Sequence, residues 1–122
     1  MNSRIVARET LIGAGLQIAM VVAGHYVPAI RDAFAIGGMG ISALVGWRAA
    51  RAEPGSAEPG SAEPGSARLA AAGGGTAGGL CAFIGIAVSV ALGDVPASLL
   101  AVGTASSVVT GAIGGLIGRR RA

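Results

Sequence analysis

Residues 95–121 read VPASLLAVGTASSVVTGAIGGLIGRRR: a run with no charge until three consecutive arginines end it. Twenty-three residues, from Val95 to Ile117, reach roughly 34 Å as a helix, enough for a hydrocarbon layer of about 30 Å. Arg119, Arg120 and Arg121 then stop the span at the polar interface. Pro96 suits a first helical turn, where its missing N–H costs nothing, and Asp94 is placed to cap it.

Working outward, the same punctuation recurs. The chain has nine basic residues, all arginine and none lysine. Arg4 and Arg8 precede a first apolar run, Arg48 and Arg51 follow a second, and Arg68 precedes a third. Only Arg31 lies at one of the other turns. Arginine concentrated at alternate ends of apolar spans predicts a polytopic chain with both termini and the middle loop in the cytoplasm. The expected fold is therefore an all-α membrane protein, with four transmembrane helices arranged as two tandem hairpins in a small bundle. Hydrophobic residues make up 52% of the chain, charged residues 12%, and the mean hydropathy is +0.70. A water-soluble domain this small would need more polar surface.

The first hairpin covers residues 1–51, with spans at about 10–27 and 29–47. Glu9 marks the edge of the first span. A secretory leader is the rival reading of that span, with Val21-Val22-Ala23 as a cleavage site. The charge-free part of the second, Ala33 to Trp47, is short at 15 residues. The helix is therefore expected to begin near Pro28, leaving Arg31 and Asp32 at the interface. Residues 52–67 contain three copies of Ala-Glu-Pro-Gly-Ser and read as a disordered cytoplasmic linker, because proline and glycine every five residues oppose a helix. The second hairpin covers residues 68–122, with spans at about 69–92 and 95–117.

The hairpins superpose at an offset of 68 residues: Val27-Pro28-Ala29 meets Val95-Pro96-Ala97, Ala14 meets Ala82, Ile18 meets Ile86, and Gly46 meets Gly114. Two like hairpins imply a pseudo-twofold axis along the membrane normal.

The strongest local signal is for helix packing. Gly38, Ser42 and Gly46 recur every four residues in the second span, and Gly103, Ser107, Gly111 and Gly115 do so in the fourth. A second row, Ser106, Thr110, Gly114 and Gly118, lies beside the latter. Small residues four apart make a groove that lets backbones approach in lipid. Packing inside one bundle is the first reading of this glycine zipper. Assembly into a homo-oligomer or larger membrane complex is the second. Three polar residues are candidates for a polar lining or proton relay: Gln17 in mid-span, and His25 and Asp32 at the first outer turn.

Other chemistry finds little footing. Gly73-x-Gly75-x-x-Gly78 imitates a dinucleotide fingerprint but follows no strand. One histidine and one cysteine do not make a zinc site, so neither a metal nor a cofactor is expected. The charge of +3 forms no basic stripe with aromatics, which argues against nucleic acid. The lipid bilayer is the expected partner. Arginine without lysine, in an alanine- and glycine-rich chain, points to a bacterium with a GC-rich genome and to its inner membrane. The glycine rows resemble, in composition alone, those of small stress-associated envelope proteins of bacteria. The expected function is accordingly a non-enzymatic structural or accessory role, envelope stress included. A small oligomeric channel or transporter is the alternative, and a holin-like permeabilising protein the third reading.

Overall fold

The computed structural model describes residues 2–53 and 64–119, and every regular element among them is a helix. Helix α1 spans Ser3–Tyr26, α2 Pro28–Asp32, α3 Phe34–Ala52, α4 Pro64–Ala91 and α5 Ser98–Gly118.

Helix α1 starts well before Thr10, because the Asn2 side chain caps it by accepting from the Arg4 and Ile5 amides at 3.0 and 3.4 Å. The second span is not one helix. It breaks at Ala33, whose backbone sits at φ −95°, ψ 6° and whose N–H bonds the Ile30 carbonyl at 3.0 Å. That bond spans three residues instead of four and ends the α-helical ladder. Pro28 does occupy the first turn of α2. The remaining apolar stretch of α3, Phe34–Trp47, reaches only about 21 Å before Arg48. Among the described residues, three helices are therefore long and apolar enough to cross a membrane: α1, α4 from Ala67, and α5.

The linker is shorter than its composition suggests. Helix α3 runs to Ala52, and α4 begins at Pro64 inside the third repeat copy, since proline is tolerated at a first helical position. The rest of the repeat, residues 54–63, lies outside the described residues. Glycines 73, 74, 75, 78 and 79 all remain helical in α4.

Helix α4 ends in a Schellman turn. The Asp94 amide bonds the Ser89 carbonyl at 3.1 Å and the Gly93 amide bonds Val90 at 3.0 Å. Gly93 supplies the left-handed conformation this motif needs, at φ +78°. Helix α5 starts at Ser98, three residues after the expected Val95, and no side chain caps it. Asp94 is thus not a cap, and its carboxylate is used elsewhere.

Helix α1 packs on α3 and α4, and α5 packs on the same two helices, which also touch each other; α1 and α5 meet at most marginally. The residues inside are small: buried hydrophobics are six alanines, three valines and Cys81. The large ones face outward, among them Leu11, Ile36, Val102 and Ile117, each more than three-fifths exposed. A water-soluble core reverses this order. Such an exterior, with three apolar helices, is compatible with a chain embedded in lipid.

Between helices the backbones approach until no side chain fits. A Cβ on Gly46 would collide with the Gly111 carbonyl oxygen, and one on Gly114 with the Ala43 carbonyl oxygen. Gly74 and Gly111 each block a Cβ on the other. These contacts reciprocate at the 68-residue offset: Gly46 on Gly111 exchanges with Gly114 on Ala43. Likewise Gly13 meets its own counterpart Cys81, and Gly85 its counterpart Gln17. The other pairings are unequal, since α3 packs on α4 whereas α1 and α5 stand apart.

Candidate functional site

Helix α1 buries one stripe at helical spacing, including Glu9, Gly13, Gln17, Val21 and Gly24. Positions three and four apart share a face. This face therefore places an acid, an amide and, about two turns further, His25 at three levels of the bundle.

At the level of the chain ends, the Glu9 side chain is 1% exposed. Arg48 of α3 donates from Nε to its Oε2 at 2.7 Å, and Arg8 donates from Nη2 to Oε1 at 3.0 Å. Nearby, Arg51 stacks on the Trp47 ring at 5.4 Å from the centroid. Glu9 is thus buried in the bundle, where its place in the sequence suggested only a boundary.

The middle level is polar but uncharged. Gln17 donates from Nε2 to the Gly38 carbonyl at 3.1 Å. Ser42 donates to the Gly78 carbonyl at 3.1 Å, and the Cys81 thiol donates to the same oxygen at 3.2 Å. Each bond satisfies a polar group away from water.

At the level of the short turns, Asp94 gathers an imidazole and a guanidinium. Its Oδ2 lies 2.9 Å from His25 Nδ1, and its Oδ1 accepts from Arg31 Nη1 at 3.2 Å; the carboxylate is 5% exposed. The His25 ring meets Tyr26 edge-on at 5.1 Å. Asp32, expected beside His25, is exposed and stands outside this cluster. Asp94→Ala is expected to cost about 2 kcal/mol, because two hydrogen bonds to a charged group vanish together. Asp94→Asn should cost about half of that, since one acceptor remains. Denaturant titration of the purified protein in micelles reads both.

The remaining predicted residues fall on helix seams. Gly38 lies beside Gln17 and Met20, Ser42 is fully buried, and Gly103 faces Ile86. Gly111 and Gly115 lie against α4, and Ser107 is buried at the same seam. Glu9, Arg48 and Asp94 were missed. Their signal was depth: under a multi-span topology Glu9 sits level with Arg48, and Asp94 level with Arg31. Opposite charges at one depth tend to pair.

Between the two ionic levels lies a cavity of about 210 Å³, bounded by residues of α1, α3, α4 and α5. Gln17, Ser89 and Ser107 reach it among apolar neighbours, and no charged side chain lines it. No group of three or more His, Cys, Asp or Glu able to hold a metal occurs among the described residues. No family model matches the chain, and no curated protein or solved structure matches it either.

Proposed function

We propose that the chain is a four-span integral membrane protein of the bacterial inner membrane, with both termini and the 53–63 connection in the cytoplasm, serving a non-enzymatic structural or accessory role. The observation that supports it is the inverted packing: small residues and backbone contacts inside, large apolar side chains outside. Helix α3 has the shortest uninterrupted apolar stretch of the four, ending at Arg48, yet Arg48 is neutralised by Glu9 and the helix packs along α5 through Ala43, Gly46 and Trp47. A charge paired inside a bundle is the form in which membranes accept one. The glycine seams then hold the bundle as a glycine zipper does.

Cysteine accessibility tests the topology. With Cys81 changed to serine, Asp32→Cys should react with an impermeant maleimide from outside intact cells. Ala57→Cys should react only after permeabilisation. Labelling of both from one side overturns the four-span reading.

The alternative is a small carrier or channel, favoured by a cavity lying between two ion-pair levels. Proteoliposomes loaded with a pH dye and presented with an ion panel separate the two: silence fits the accessory role, and protein-dependent flux fits the carrier.

A further inference from the structure

We propose that the cavity between α1, α3, α4 and α5 is a binding site for a small, neutral, mostly apolar aromatic molecule carrying one hydrogen-bond donor, of the phenol class. The inference goes beyond the topology and role proposed above and holds for either role.

Three buried polar groups reach the cavity with hydrogen-bonding capacity left over. Gln17 is 3% exposed, and its Nε2 is engaged by the Gly38 carbonyl. Its Oε1 accepts no hydrogen bond among the described residues. Ser89 is 2% exposed, and its Oγ has no partner. The usual escape for a helical serine is a bond back to its own helix, and Ser89 does not take it. Ser107 is 4% exposed, and its hydroxyl makes no bond among the described residues. Buried polar groups are nearly always paired, and an unpaired one costs about 1–3 kcal/mol. Ser89 is such a group, enclosed and unpaired; with Gln17 and Ser107 it brings polar side chains of three helices to one space, the pattern of a site whose ligand completes them.

The chemistry of the lining selects the ligand. With no charged side chain facing it, the cavity gives an ion nothing to offset its dehydration. The Gln17 oxygen can only accept, so the ligand brings a donor. Phe34, Met20 and Met39 line the wall, and thioethers and rings favour an aromatic partner. The volume of about 210 Å³ exceeds the roughly 150 Å³ that encloses a benzene in an engineered cavity. It suits a ring with a short substituent.

The test uses the full chain in nanodiscs, with empty nanodiscs subtracted, and equilibrium dialysis of 4-ethylphenol against its isostere 4-ethyltoluene. The expected result is saturable binding of 4-ethylphenol at one molecule per chain. Referred to free concentration in the lipid phase, it should be about tenfold tighter than 4-ethyltoluene, the size of one good hydrogen bond. Gln17→Leu should abolish that tenfold preference and leave 4-ethyltoluene within about twofold, which a collapsed fold would not. Ser89→Leu, which fills the space, should remove both. If Ser89→Leu fails to fold, the Gln17→Leu comparison still decides. No saturable excess of 4-ethylphenol over empty discs overturns the proposal. So does equal binding of the two probes that is unchanged by Gln17→Leu.

Discussion

Gly111→Leu should leave the bundle unable to close. Gly111 sits where three helices meet: its carbonyl oxygen occupies the space a Cβ would need on both Gly46 and Gly74, and a Cβ of its own would strike the Gly74 carbonyl. These obstacles are main chain, so no rotamer change clears them. Overpacking of ordinary cores costs about 1–3 kcal/mol, occasionally more. Here two interhelical seams part at once, and a loss of 4 kcal/mol or greater is the rough expectation. Gly15→Leu and Gly40→Leu are the controls, since a Cβ at either meets nothing within 4 Å. They should fall within about 0.5 kcal/mol of the parent chain. Denaturation in micelles, paired with size-exclusion of the folded fraction, reads the series. Equal behaviour of Gly111 and Gly40 variants would remove the seam from the account.

Glu9→Ala should give the second-largest loss, about 3 kcal/mol. The fully buried carboxylate vanishes with its bonds to Arg8 and Arg48, and a void replaces the side chain. Glu9→Gln keeps the shape and one acceptor, and should lose roughly half as much. The diagnostic is a double-mutant cycle. In a Glu9→Met background, Arg48→Met should add little further loss, because its partner is already gone. Independent, additive effects would show that the 2.7 Å contact contributes nothing.

The helical class was legible in the long apolar runs, and the close approaches at Gly46, Gly111 and Gly114 fall on the rows of small residues. Apolar runs bounded by arginine translate into long helices, and small residues four apart into close approaches. The 68-residue offset was legible as well, and the reciprocal contacts of Gly46 with Gly111 and Gly114 with Ala43 follow it. The break at Ala33 was not. Alanine is the best helix former, and nothing in residues 29–47 marks a stop; the interruption accompanies the engagement of Arg31 with Asp94 across the bundle. Asp94 itself misled, since an acid just ahead of Pro96 has the pattern of a cap. Its true partners are distant in sequence, and only the Schellman turn at Gly93 presents it to them. Pro64 was legible as a helix breaker but acts as a helix starter, a distinction that depends on where the preceding helix ends. The unpaired Ser89 hydroxyl could not be read at all, because an unmade bond has no sequence pattern.

The main-chain seam has a consequence for inheritance. Every missense change reachable by one nucleotide from a glycine codon adds a Cβ. At Gly46, Gly74, Gly111, Gly114 and Gly115 that added atom lands on a carbonyl oxygen of the neighbouring helix. For these codons the mildest available mutation is already a steric fault, whereas Gly15 and Gly40 are free to drift to alanine or serine. Natural variants of this chain should therefore differ at the latter pair long before they differ at the former five.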